Sequence, residues 1–198
     1  MSNHTEFDRA LIERFSCPGP RYTSYPTADR FYNNFSEVDT IKALSQRHIG
    51  ALHKPISLYI HIPFCPSICY YCGCNKIITK DKSVADTYIQ YIGKEIKLLT
   101  NIIGKKEPLT QLHLGGGSPT FLNNEQFTQL QSMLQEHFLF SQNGEYSIEV
   151  DPRNTSTNTI DHLGKLGFNR ISIGVQDFTP QVQQAINRPQ TFQETAEI

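Results

Sequence analysis

The sequence predicts an α/β protein: a partial (βα) barrel of parallel strands, preceded by an extended N-terminal arm and truncated before the barrel is complete. Three observations carry this expectation. From Pro55 onward, short runs of alternating apolar and polar residues give way repeatedly to longer runs with helical spacing. Before Pro55, the stretch CPGPRYTSYPTADRF is punctuated by Pro18, Pro20 and Pro26 and has no clear period. Near the end, Thr191 and Glu194 form a capping-box pattern, so a helix is only beginning when the chain reaches Ile198. The expected organisation is an arm with a short helix over 1–54 and the first four βα units over 55–198.

Within the first part, Ser36 with Asp39 imitates a capping box, and Val38, Ile41, Leu44 and Ile49 recur at roughly helical spacing. Strands are expected near Ile56 to His61, Thr110 to Leu114, Glu145 to Val150 and Arg170 to Val175. The intervening helices are expected near Val84 to Ile103, Glu125 to Phe138 and Thr159 to Leu166. A fourth should start at Thr179-Pro180, a cap residue followed by proline at the first helical position.

Side-chain parity separates two faces of each strand. Ile56, Leu58 and Ile60 share one face and leave Tyr59 and His61 on the other; Tyr146, Ile148 and Val150 oppose Glu149; Ile171, Ile173 and Val175 alternate with Ser172, Gly174 and Gln176. In a barrel the more polar face turns inward, toward the C-terminal mouth where such folds place their chemistry.

Composition narrows the class. With 38% hydrophobic and 19% charged residues the chain can bury a core, and its net charge of −1 with scattered basic residues suggests neither a nucleic-acid footprint nor an anionic-membrane patch. No run approaches the roughly 18 apolar residues of a spanning helix, and MSNHTEFDRA does not read as a signal peptide, so a cytoplasmic monomer is the expectation.

Four of the five cysteines fall within HIPFCPSICYYCGCN, directly after the first strand. Such a tight cluster points to metal or redox chemistry rather than a disulfide framework. The C-x3-C-x2-C spacing of Cys65, Cys69 and Cys72 lets three thiolates hold one 4Fe-4S cluster and leaves its fourth iron without a protein ligand, a place where S-adenosylmethionine can chelate. A structural zinc site and a redox-sensing dithiol built on Cys72 and Cys74 are the alternatives. Cys17, isolated before Pro18, reads as a structural or free thiol.

These cysteines, with Tyr71 before the third and Gly115-Gly116-Gly117 after the second strand, resemble the radical S-adenosylmethionine (radical SAM) superfamily. Glycine there permits close backbone approach, although a glycine triplet alone is more often a loop turn than a ligand site. PGPRYTSYPTADRF, the extra Cys74, LHLGGGSPT, EVDPRN and ISIGVQDF are similar to the oxygen-independent coproporphyrinogen III oxidase family within it, over about Pro18 to Gln190. The resemblance implies an oxidoreductase of heme (porphyrin) biosynthesis: a 5′-deoxyadenosyl radical would drive oxidative decarboxylation of coproporphyrinogen III to protoporphyrinogen IX. An electron donor to the cluster and a separate electron acceptor would be needed. A related heme chaperone is the nearest alternative, against which Cys74 and the proline-rich arm argue.

By the same resemblance, Cys65, Cys69 and Cys72 ligate the cluster, and Tyr59, Gly116 and Glu149 contact the cofactor on it. A second S-adenosylmethionine would take Tyr71, Gly117, Ser118, Gln176 and Arg188. Glu149 suits an ammonium or ribose, and it also reads as a solvated strand-end carboxylate. Arg188 also reads as an exposed arginine near a helix end. Cys74 is expected close to the cluster without ligating it. Arg21, Tyr22 and Arg30 are candidates for guiding substrate carboxylates, and His61 for supporting the site. The chain alone is expected to be inactive.

Overall fold

The computed structural model describes residues 7–17, 27–48 and 54–198. By packing, the chain divides into two units at Thr40/Ile41. In the first, α1 (Arg9–Phe15) is a helix that the sequence reading placed in an extended arm. The Asp8 carboxylate accepts from the Leu11 N–H at 3.0 Å, satisfying one of the donors that a helix start leaves open. The remaining arm, with Pro18, Pro20 and Pro26, lies outside the described residues, as does Ile49. Helix α2 (Glu37–Ser45) starts at the expected box: the Ser36 N–H donates to Asp39 Oδ2 at 2.9 Å and the Asp39 N–H to Ser36 Oγ at 3.3 Å.

The second unit is built on a four-stranded, all-parallel sheet in the order β1 (Ile56–Ile62), β4 (Glu107–Gly116), β5 (Phe138–Val150), β6 (Arg170–Ile173). Helices α3 (Val84–Ile103), α4 (Asn124–His137) and α5 (Thr157–Lys165) make the crossovers that parallel pairing demands. Two short helices follow, α6 (Pro180–Ala185) and α7 (Phe192–Ala196), the first with Pro180 at its start and the second with the Thr191–Glu194 box closed. Between β1 and α3 a two-residue parallel pair, β2 (Phe64–Cys65) with β3 (Ile77–Ile78), brackets the cysteine loop; nothing in the residue pattern announces strands so short.

The helix-facing side of the sheet is the core. Ile60, Ile62, Leu112, Leu114, Ile148 and Val150 pack against Ile89 and Ile96 of α3, Phe127, Leu130 and Leu134 of α4, and Leu163 of α5. On α3 the buried positions 85, 89, 92, 96, 100 and 103 recur at three and four residues, as an amphipathic helix requires. Two departures from the expected strands have local causes. Strand β5 begins at Phe138, seven residues early, because Phe138 to Phe140 pair with Glu107 to Leu109 before the register skips Ser141 to Gly144 and resumes at Gln111↔Glu145. Strand β6 ends at Ile173 rather than Val175; it is the sheet's edge, and Ile171 remains 39% exposed.

Phe127 is 1% exposed at the centre of the α4 contact. Phe127→Ala is expected to lower unfolding free energy by about 3–5 kcal/mol, through lost burial plus a cavity; urea denaturation followed by circular dichroism checks it.

Candidate functional site

A cavity of about 280 Å³ opens at the C-terminal ends of all four strands. That is where a parallel α/β sheet gathers the loops that follow its strands. After β1 come Cys65, Cys69, Tyr71, Cys72, Cys74 and Lys76; from the end of β4, Gly116, Gly117 and Ser118; from β5, Glu149, Asp151 and Arg153; from β6 and beyond, Ser172, Gly174, Gln176 and Arg188.

The cysteine loop is tied down from three sides. The Ile77 N–H donates to Pro63 O at 2.8 Å and the Thr79 N–H to Cys65 O at 2.9 Å, which makes the β2–β3 pair. Lys76 Nζ donates inside the loop to Cys72 O at 2.9 Å and Cys74 O at 3.2 Å. From the far end of the chain, the Tyr70 N–H donates to Ile186 O at 3.1 Å and Asn187 Nδ2 to Ile68 O at 2.7 Å. Asn187 holds φ 54°, a left-handed conformation that asparagine tolerates, and its side-chain bond shows what keeps it there.

The glycines act first on the protein itself. A Cβ on Gly117 would meet Pro63 O at 2.6 Å and Cys65 Sγ at 2.9 Å; one on Gly116, which also has φ 122°, would meet Ile62 O at 2.9 Å. Only glycine lets the end of β4 approach the β1 exit this closely. The approach is fastened by Gly117 N–H to Ile62 O at 2.9 Å and Ser118 N–H to Phe64 O at 3.0 Å.

Charge is arranged around the thiols. Burial pushes the Cys65 thiol up to about 11, with the neighbouring Cys72, Cys69 and Asp151 adding to the rise and Arg153 opposing it. Cys74 is raised too, by burial and then by Cys72. Arg188 Nη1 lies 3.5 Å and Arg153 Nη2 3.8 Å from Cys69 Sγ. Glu149 accepts from the Gly116 N–H at 3.2 Å, and its other oxygen stands 3.5 Å from His113 Nε2.

Of the residues the sequence nominated, Tyr71, Gly116, Gly117, Ser118, Glu149, Gln176, Arg188 and the three cysteines all line this cavity. Tyr59 does not: its ring stacks on His113 at 5.8 Å and its hydroxyl meets His61 Nδ1 at 2.9 Å. His61 in turn reaches Asn75 O at 2.8 Å, which ties the inward face of β1 to the cysteine loop. Arg30 pairs with Asp29 at 3.6 Å within the first unit; Arg21 and Tyr22 lie outside the described residues. Asp151, Arg153 and Asn187 were missed. The Asp-Pro-Arg turn could have flagged the first two, because aspartate before proline marks a turn in which the carboxylate accepts from the backbone N–H two residues on.

The chain belongs to the radical SAM superfamily, whose model matches residues 59–198. It is 45% identical to the oxygen-independent coproporphyrinogen III oxidase of Pseudomonas aeruginosa, over 100% of this chain and 43% of that protein. The enzyme of the same name from Escherichia coli is 45% identical over 93% of this chain and 39% of its own length. The solved structure of coproporphyrinogen III oxidase (HemN) from Escherichia coli, described as a radical SAM enzyme, superposes with TM-score 0.83 at 42% identity, covering 96% of this chain and 41% of that one. The chain thus spans about two fifths of the length of these relatives.

Superfamily membership implies a 4Fe-4S cluster and S-adenosylmethionine, and the donor set fits both. Cys65, Cys69 and Cys72, none of them in a disulfide, line one cavity and can each take a separate iron. Arg188 Nε is buried with no hydrogen-bond partner among the described residues, a donor left for an anionic ligand. Among the described residues no three His, Cys, Asp or Glu side chains are gathered closely enough for one ion, whereas cluster cysteines each bind a different iron.

In the cluster-free chain, alkylation of Cys65 is expected to accelerate about tenfold per pH unit until about pH 11. The folded chain holds this proton more tightly than an ordinary thiol at 9.0, so stability falls as pH rises from 9.0 toward about 11. Mass-resolved alkylation and melting curves check both; a rate plateau near pH 9 contradicts the burial argument.

Proposed function

We propose that this chain supplies the cluster and cofactor site of an oxygen-independent coproporphyrinogen III oxidase, which decarboxylates two propionates of coproporphyrinogen III to vinyl groups and yields protoporphyrinogen IX. The observation that carries the reading is the meeting, in one cavity, of Cys65, Cys69 and Cys72 with the end of β4 and with Glu149 and Arg188. The near-full-length match of this chain to proteins named for that oxidase supports the choice within the superfamily over a heme chaperone or a zinc module.

Cys65, Cys69 and Cys72 would hold the cluster. When bound, the cluster and S-adenosylmethionine supply a reducing electron and a hydrogen-abstracting 5′-deoxyadenosyl radical. The chain's own part is positioning. Glu149 offers an anionic acceptor to an ammonium or ribose hydroxyl, and the Gly116 N–H that it accepts from keeps the carboxylate at the cavity rim. Gly116 would serve the same cofactor, and Tyr59 would do so from outside the cavity lining, on the adjoining inward face of β1 where its hydroxyl meets His61. Arg188 offers a guanidinium to a carboxylate, and with Tyr71, Gly117, Ser118 and Gln176 it would serve a second S-adenosylmethionine. Gln176, held at φ 68° after β6, faces the same cavity. Cys74 lines the wall as a non-ligand.

We further propose the division into an N-terminal arm with a short helix over 1–54 and the first four βα units over 55–198, and a cytoplasmic monomer that draws on an electron donor to the cluster and a separate electron acceptor. Among the described residues, no helix is long and apolar enough to cross a membrane.

Anaerobic reconstitution with iron and sulfide should give about four irons per chain and a reduced spectrum, by electron paramagnetic resonance, that shifts on adding S-adenosylmethionine. Cys69→Ser should abolish the signal. Bound zinc without a cluster would sink the reading. Glu149→Gln should keep the cluster and weaken S-adenosylmethionine binding about tenfold, roughly 1.4 kcal/mol, by calorimetry.

A further inference from the structure

Beside the cysteine loop, two guanidiniums share one carboxylate. Arg153 donates from Nε to Asp151 Oδ1 at 2.9 Å and from Nη2 to Oδ2 at 2.6 Å, while Arg188 Nη2 stands 3.4 Å from Asp151 Oδ1. All three side chains are nearly closed to solvent, at 15%, 11% and 9% exposure for Arg153, Asp151 and Arg188. Two positive charges against one negative leave a surplus where screening is weak, and an unbalanced buried charge is costly. The same two guanidiniums converge on one sulfur, Cys69 Sγ, at 3.5 and 3.8 Å. A sulfur ligating iron is anionic, and it supplies the missing charge.

We propose that Asp151, Arg153 and Arg188 form a charge counterweight at Cys69 that sets the reduction potential of the cluster this cysteine ligates, with Arg153 as its tuning residue. The inference rests on the cluster reading above and is independent of the substrate. A cation held beside a ligand favours the more negative, reduced state of the group, so the counterweight raises the midpoint potential. Arg153 is suited to this work because Nε and Nη2 are fixed on Asp151 and the same Nη2 lies within reach of the sulfur. A merely structural Arg153, fastening the turn Pro152–Asn154, would matter to stability and not to potential.

The experiment is a potentiometric titration of the reconstituted chain, followed by visible absorption and electron paramagnetic resonance, with iron release to a chelator as a second readout. Arg153→Met should shift the one-electron equilibrium about tenfold toward the oxidised cluster, a midpoint lower by about 59 mV, and speed iron release. Arg153→Lys should recover most of the shift. Asp151→Asn, which keeps an oxygen for the turn, should move the midpoint the other way, since it removes the only negative member. Opposite signs for the two variants support the counterweight. Shifts of the same sign, or lowered melting temperatures with unchanged midpoints, overturn it in favour of a structural role; should Arg153→Met not fold, the sign for Asp151→Asn decides alone. A wild-type chain that takes up no iron overturns the cluster reading and this inference together, whereas a loaded wild type with insensitive variants overturns this one only.

Discussion

Everything at this site depends on how closely the end of β4 approaches the exit of β1. At Gly117 the gap to Pro63 O and Cys65 Sγ is too small for even a methyl group, and two backbone hydrogen bonds, to Ile62 O and Phe64 O, close it. The position of Cys65 follows from that contact, since β2 continues directly from it and pairs with β3 across the loop. The triplet of glycines therefore does structural work before any ligand is considered. A larger residue would displace a thiol and the strand end carrying it, because backbone cannot yield as a flexible side chain can.

The second organising element is the distribution of charge among the thiols. Cys65 sits where burial and its neighbours oppose ionisation, and Cys69 sits under two guanidiniums. The first opposes a lone thiolate and the second favours one, and both suit sulfurs that ligate one iron–sulfur cluster. The two arginines reach Cys69 from different segments, Arg153 from the turn after β5 and Arg188 from the loop after α6. The 3D site thus joins segments more than a hundred residues apart, and Asn187 beside Arg188 anchors the cysteine loop with its own side chain.

The polar face of the sheet extends the site inward. Tyr59 stacks on His113, His113 bonds Ser147 at 2.7 Å and faces Glu149, and His61 carries the connection to Asn75 of the cysteine loop. Parity alone placed Tyr59, His61 and Glu149 on one face, and they do share it. Parity could not say that Tyr59 would turn toward its neighbours rather than into the cavity, because that depends on the rings beside it.

The sequence by itself determined the α/β class, the four parallel strands, the bounds of α3 and the start of α6, because burial against helices imposes a period that local residues must obey. It also determined the cysteine motif and, with the glycines, the superfamily. Tertiary structure decided what has no period: the short β2–β3 pair, the skipped register in β5, and the Asp151–Arg153–Arg188 counterweight at Cys69. These depend on which distant groups come within reach of one another, and contact across the fold is not written in the spacing along the chain.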